Sequence, residues 1–224
     1  ILALLTSLVM LAAVWQIEDR PNIFYISSLL IGGGALGAFL TTDVFFIYAF
    51  HELALIPTFL MIALHGRADA AQRKAVAWKA TIYLGAGSLV LLAGLAWVVL
   101  EFSGGSKLTF DLEALRNQAQ LTPLPDAKQA QIFFVLLLGF GSLVSLFPFH
   151  SWAAPAYATA PTPVAMLHSG VLKKFGLYGL IRIALPLLPQ GAHVEWVQNA
   201  LLLMLLGNIL VMGLVTIHAN RLDD

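Results

Sequence analysis

The sequence predicts an all-α polytopic membrane protein with about seven transmembrane helices, one of them discontinuous. Two observations predict this class: 59% of the residues are hydrophobic and only 11% are charged, and the mean hydropathy is +0.85. A third is that the apolar residues form long runs separated by short polar stretches. Because soluble domains average about a quarter charged residues, this chain needs lipid as its solvent.

About seven apolar segments each approach the ~20 residues that span a bilayer. We expect a helix in each, because a helix satisfies its backbone groups internally. The segments are residues 1–17, 23–40, 44–64, 77–100, 132–149, 164–185 and 197–218. The chain begins inside an apolar run without methionine, so we expect residues 1–224 to form a single transmembrane domain cut from a longer protein.

The basic residues predict the orientation, because Lys and Arg collect in cytoplasmic loops. We place the loop after the third segment inside, with Lys79 at the start of the next helix, and the 101–131 loop outside. The basic residues that fall inside are Arg20, Arg67, Arg73, Lys74, Lys79 and Arg221. Those that fall outside are Lys107, Arg116 and Lys128, which acids balance.

The outer loop carries a helical pattern of its own. Leu112, Leu115 and Ala119 recur at helical spacing behind Asp111, a residue suited to an N-cap. We expect a short surface helix here, with an irregular loop as the alternative.

Prolines interrupt the fifth segment. Pro148 lies near its end, and the stretch 151–162 that follows carries no formal charge. Proline removes a backbone donor and clashes with the preceding turn, and broken helices persist at membrane depth only beside protein or a water-filled cavity. We expect an interruption between residues 146 and 155 with His150 lining it. A plain loop on the inner side is the alternative.

Three charges lie well inside apolar segments, away from the segment ends, where each costs at least ~2.5–3.5 kcal/mol. Glu52 lies nine residues beyond Asp43, which is about 14 Å along a helix. Lys173 and Lys174 lie near the centre of the sixth segment. A proton or ion path explains such charges, and so does a structural ion pair. We expect Glu52 to be buried, with a lysine or polar volume close by.

Histidines extend this set. His51, His150 and His168 lie in or beside apolar segments and suit either proton relay or ordinary hydrogen bonds between helices. Lys79 suits either a site role or a side chain that reaches the cytoplasmic surface.

Several classes of function are excluded. A net charge of zero leaves no basic face for nucleic acid. The chain has no cysteine, which rules out thiolate chemistry and iron–sulfur ligation, and no nucleotide-binding glycine motif occurs. We therefore expect no cofactor, metal or redox centre in this chain.

Four ordered motifs resemble those of the antiporter-like subunits of respiratory complex I, closest to subunit M, the bacterial counterpart of mitochondrial chain 4. They are FHELALIP at 50–57, KATIY at 79–83, PFHSW at 148–152 with APTPV at 160–164, and GVLKKFGLYG at 170–179. The resemblance implies a proton-translocating subunit of NADH:quinone oxidoreductase with about fourteen helices in inverted repeats. It also implies other complex I membrane subunits, lipid and protons as partners, with quinone, flavin and iron–sulfur clusters in partner subunits. The expected location is the inner (plasma) membrane, bacterial rather than organellar.

By position, the resemblance gives Glu52 the family's glutamate, Lys79 its helix-start lysine and Lys174 its mid-membrane lysine. Two stretches depart from the pattern. Leu143 stands where the family usually has the lysine that partners the glutamate, and residues 152–157 read WAAPAY where the family has W-L-P-D-A-H.

Lys173 replaces a usual leucine, and we expect it to restore the charge lost at Leu143 by reaching toward the fifth helix. Lys174 should face the subunit interior, in line with Glu52 and His150. The alternative for Lys173 is an ion pair with a neighbouring subunit. Two other functions stay open: an ion-transporting subunit of a cation/proton antiporter or membrane-bound hydrogenase, and a non-pumping scaffold, which Leu143 favours.

Overall fold

A computed structural model describes residues 1–15, 21–103 and 108–218. Over these ranges the regular elements are helices, and a single isolated β-bridge joins Asp43 and Asp111. Five helices are long and apolar enough to cross a membrane: Asn22–Leu40, Val44–His65, Ala70–Phe102, Asp126–Val144 and Glu195–Ile217. The all-α membrane class is confirmed, and the number of spans stays a prediction.

Among residues 1–15 and 21–103, the structure describes five helices. They are α1 (Leu2–Val14), α2 (Pro21–Leu40), α3 (Val44–Leu53), α4 (Leu55–His65) and α5 (Ala70–Phe102). The third predicted segment is thus a single span, Val44–His65, that a turn at Ala54 divides into α3 and α4. Pro57 explains the division after Leu53, because its ring has no N–H to bond the Leu53 carbonyl and clashes with it.

Helix α5 begins well before the predicted start at residue 77. The Asp69 side chain accepts hydrogen bonds from the backbone N–H groups of Ala71 and Gln72, which caps the helix about two turns earlier. Lys79 therefore lies inside α5, and its predicted place at the helix start was wrong.

The outer loop contains the predicted surface helix, α6 (Leu112–Leu121). The Asp111 side chain accepts a hydrogen bond from the Ala114 N–H, and Leu112, Leu115 and Ala119 are buried. Two backbone bonds fix the loop to the α2–α3 linker: Val44 N–H donates to Phe110 O at 2.8 Å and Leu112 N–H to Thr42 O at 2.9 Å. The orientation prediction also placed Arg20, Lys107 and Arg221. These three residues lie outside the described ranges.

The predicted break in the fifth segment is confirmed. Helix α7 (Asp126–Val144) ends where Ser145 adopts a left-handed φ of 63°. Turns follow, and α8 (Ala153–Thr159) resumes the helix. His150 lies within the break, stacked on the Phe147 ring with centroids 5.6 Å apart.

Residues 162–187 are helical in pieces. They form α9 (Thr162–Leu167), a π turn (His168–Leu172), α10 (Lys174–Gly179), a second π turn (Leu180–Ala184) and α11 (Leu185–Leu187). A short 3₁₀ turn (Gly191–His193) leads to α12 (Glu195–His218). The predicted sixth segment is therefore helical, and the π turns are a feature that apolar runs do not reveal.

The core is the pair α5 and α7, with α4 packed on α5 and α10 packed on α7, and α2 packs on α3 and α4. Small residues let the two central helices approach, since a Cβ on Gly139 would meet the Leu91 backbone nitrogen at 2.8 Å. Loops 41–43 and 108–111 meet at one end of the bundle, whereas Arg67 N–H bonds Thr159 O at the opposite end. Successive long helices thus run in opposite directions, as the predicted orientation requires.

Candidate functional site

Glu52 lies at the end of α3, one residue before the helix stops. Its side chain is 29% exposed, so it is partly buried. The predicted polar surroundings are present, because two side chains bond its carboxylate. The described ion pairs include none between Glu52 and a lysine.

A hydroxyl row extends from Glu52 toward the outer end of the bundle. Ser88 Oγ of α5 lies 2.5 Å from Glu52 Oε1 and 3.0 Å from Tyr48 Oη. A hydroxyl has one proton, so Ser88 can donate to the carboxylate while it accepts from Tyr48. Ser88 is only 1% exposed, so its hydroxyl is shielded from water.

His51 contacts the same carboxylate oxygen of Glu52 as Ser88 does. Its Nδ1 lies 3.2 Å from Glu52 Oε1. The imidazole stacks on Phe175 of α10, with centroids 4.3 Å apart and planes 20° from parallel. The ring is therefore held between the acid and the sixth segment.

A small cavity lies on the far side of His51. Its volume is about 20 Å³, and it is lined by His51, Ala54, Leu55, Leu84, Leu143, His168, Leu172 and Lys173. Three of these side chains are polar, and such a volume suffices for one water molecule. His168 is further held by Thr58, whose Oγ1 lies 3.2 Å from His168 Nε2. The cavity can therefore connect His51 to the sixth segment by a single water.

Lys173 reaches the cavity because of the first π turn. In a regular α-helix, residues five apart point about 140° away from each other. Here the Lys173 N–H bonds the His168 carbonyl at 2.8 Å, the spacing of a π-helix, which places residues five apart close to one line. Lys173 and His168 therefore face the same cavity. The Lys173 ammonium also lies 5.6 Å from the centre of the Tyr157 ring.

The remaining predicted site residues lie elsewhere. Lys174 is exposed on this chain and does not line the cavity, so its place facing the subunit interior stays a prediction; the residue that lines the cavity after the π turn is Lys173. Lys79 is also exposed, on α5. His150 does not line the cavity, and its Nδ1 is buried with no hydrogen-bond partner among the described residues. The structure thus joins Glu52, His51, His168 and Lys173, and it leaves the other three apart.

Sequence reasoning missed Tyr48, Ser88, Thr58 and Tyr157. All four side chains are uncharged, so a pattern of mid-membrane charge does not indicate them. Tyr48 precedes Glu52 by four residues and so shares its helix face, a signal that could have found it. Ser88 carries no such signal, since only the packing of α5 on α3 brings it to Glu52.

Comparison with known proteins decides the family. Residues 41–222 match the family described as "NADH:quinone oxidoreductase/Mrp antiporter, TM". The chain belongs to this family. A curated relative is "NAD(P)H-quinone oxidoreductase chain 4 3" of Picosynechococcus sp., which is 36% identical over 202 residues, or 90% of this chain and 34% of the relative. A chain 4 protein of Microcystis aeruginosa is also 36% identical, over 85% of this chain and 32% of the relative. This chain therefore spans about a third of the length of these relatives.

Solved structures share the arrangement of helices. A chain of respiratory complex I from Thermus thermophilus is 29% identical with a TM-score of 0.72, over 91% of this chain and 40% of that one. A chain of the Mrp complex from Dietzia sp. is 25% identical with a TM-score of 0.63, over 88% of this chain and 35% of that one. The resemblance seen in the four motifs is thus confirmed by both sequence and fold.

Proposed function

We propose that this chain is part of a proton-translocating membrane subunit of NADH:quinone oxidoreductase. The observation that carries the proposal is the polar row Tyr48–Ser88–Glu52–His51, which ends at the cavity shared by His168 and Lys173. Each member bonds the next within hydrogen-bond distance, and no apolar residue interrupts the row. Such a row can pass protons one step at a time.

The energetics fit a site that takes up and releases protons. Moving a proton against about 180 mV requires about 4 kcal/mol. A cation about 6 Å from a glutamate contributes roughly 3 kcal/mol at an effective dielectric of 20. A small movement of a lysine toward or away from Glu52 would therefore supply most of the required change.

Redox chemistry belongs to other subunits in this proposal. Quinone, flavin and iron–sulfur clusters would lie in those partners, and this chain would transmit the energy that they release. The long apolar helices favour a multi-pass membrane location, and we propose the bacterial inner (plasma) membrane. Its partners would be the neighbouring membrane subunits of complex I.

The test uses the full-length subunit in its assembled complex, reconstituted into vesicles. Proton uptake and NADH oxidation are recorded together for Glu52→Gln. We expect the ratio of protons to electrons to fall at least threefold, because the amide cannot carry the proton. Glu101→Gln is the matched control. Glu101 lies at the outer end of α5, outside the polar row, and its carboxylate pairs with Lys128 of α7 at 2.7 Å. An unchanged ratio in Glu52→Gln would contradict the proposal.

The second candidate is an ion-transporting subunit of a cation/proton antiporter. It is favoured by the structural match to the Mrp complex. The same vesicles separate the two candidates: sodium flux that follows an imposed proton gradient without NADH would favour the antiporter. Absence of both activities would favour a scaffold.

A further inference from the structure

Three departures of this sequence from its family pattern meet at one place. By the motif resemblance described above, Leu143 stands where a lysine is expected, Lys173 where a leucine is expected and Tyr157 where a histidine is expected. Leu143 and Lys173 line the same cavity, from α7 and from the end of the π turn. The Tyr157 ring lies beneath the Lys173 ammonium. Changes at three distant sequence positions are therefore adjacent in space.

We propose that the lysine serving this site has moved from position 143 to Lys173, and that Tyr157 is its positioning residue. This inference rests on the proposed function. It assigns to Lys173 the exchange of protons with Glu52 through His51 and the cavity. It also explains how a chain with leucine at position 143 can still translocate protons rather than serve only as a scaffold.

The first argument is the charge inventory of the cavity. Leu143 is 2% exposed, and the only lysine or arginine of α7 is Lys128, at the outer end of the helix. Lys173 is the one lysine or arginine that lines the cavity. If a fixed cation acts on Glu52 here, Lys173 supplies it.

The second argument is the way in which Lys173 is held. No carboxylate pairs with it among the described ion pairs. A tyrosine ring attracts an ammonium by its quadrupole without neutralising the charge. Lys173 therefore keeps a net charge that can act on His51 and Glu52, which a salt bridge would cancel.

Tyr157 is itself fixed by neighbouring rings. Its centroid lies 6.0 Å from Trp152 and 6.3 Å from His168. Trp152 is 1% exposed, and its Nε1–H donates to Ser142 O of α7 at 3.3 Å. The ring beneath Lys173 is thus anchored to the helix that lost its lysine. The Tyr157 hydroxyl has no described partner, so the ring rather than the hydroxyl should carry the effect.

The experiment compares three lysine arrangements in the reconstituted complex. Lys173→Met removes the charge and keeps an unbranched apolar stem, so assembly should be preserved. Its ratio of protons to electrons should fall at least threefold. The double variant Leu143→Lys with Lys173→Leu restores the usual pattern and should recover at least half of the wild-type ratio. Lys74→Met, at an exposed lysine near the start of α5, is the matched control.

Two tyrosine variants test the positioning role. Tyr157→Phe keeps the ring and should retain the wild-type ratio, whereas Tyr157→Leu should lower it about twofold or more. A wild-type ratio in Lys173→Met, or no recovery in the double variant, would overturn the inference and favour a structural lysine. Failure of the wild-type complex to pump would instead overturn the proposed function.

Discussion

The Ser88 hydroxyl lies 2.5 Å from a carboxylate oxygen of Glu52, so α5 orients the acid that α3 carries. The bend at Pro57 ends α3 at Leu53, beside this acid. Glu52 therefore lies where one helix stops and another approaches. Its orientation depends on tertiary packing as well as on its own helix.

Substitution of Ser88 should weaken proton transfer. In Ser88→Ala the carboxylate keeps His51 but loses its link to Tyr48, so we expect the ratio of protons to electrons to fall two- to fivefold. Ser88→Thr retains the hydroxyl and should recover part of the wild-type ratio of protons to electrons. The measurement is proton uptake against NADH oxidation in vesicles.

Ser169→Ala is the control for this prediction. Ser169 is exposed, and its hydroxyl donates to the Ala165 carbonyl, four residues earlier in the chain, at 2.6 Å. Its loss should leave the ratio unchanged. An equal effect of both substitutions would mean that Ser88 acts through general helix packing.

The close approach of α5 and α7 predicts a stability effect. A Cβ on Gly139 would meet the Leu91 Cα at 2.7 Å, a backbone atom that cannot move aside. Gly139→Ala should therefore force the helices apart at a cost of about 1–3 kcal/mol, and it should lower the melting temperature of the purified complex by several degrees.

Gly85 provides the matched control on α5. A Cβ there would meet no atom within 4 Å, and alanine favours a helix by about 1 kcal/mol over glycine. Gly85→Ala should leave the melting temperature unchanged or raise it. Thermal unfolding followed by tryptophan fluorescence measures both variants, and a similar decrease in the two would argue against the packing explanation.

Much of the fold follows from the sequence, because lipid makes apolar length a strong signal. The long helices, the break after α7 and the cap at Asp111 each have a local cause in hydropathy, proline or an Asp side chain. The predicted positions of helix ends were less accurate, as at the start of α5 after Asp69, because polar residues can extend a helix beyond its apolar run.

The site was harder to predict, for a physical reason. Which lysine lines the cavity depends on the π turn at His168–Leu172, and one extra residue in a turn rotates every later side chain. No pattern of charge or hydropathy marks that insertion. Ser88 shows the same limit, since a neutral side chain becomes part of the row only through the packing of another helix.

The orientation of the bundle gives the last prediction. The 66–74 stretch, with Arg67, Arg73 and Lys74, should face the cytoplasm and α6 should face outward. Helix α5, with 33 residues, is about 50 Å long and separates the two sides. Because the chain has no cysteine, single cysteines can report on each side in a full-length subunit freed of any others. Ala71→Cys and Asn117→Cys suit this purpose, since both positions are exposed.

In intact cells, a membrane-impermeant maleimide should label Asn117→Cys, and Ala71→Cys only after the membrane is permeabilised. Leu115→Cys is the control for exposure, because Leu115 is 0% exposed on the same helix as Asn117; it should stay unlabelled in both conditions. Labelling of Ala71→Cys but not Asn117→Cys in intact cells would invert the orientation. Labelling of both Ala71→Cys and Asn117→Cys in intact cells would mean that α5 does not cross the membrane. The polar row from Tyr48 to Lys173 would then lie outside the lipid, where protons move through water without a protein path.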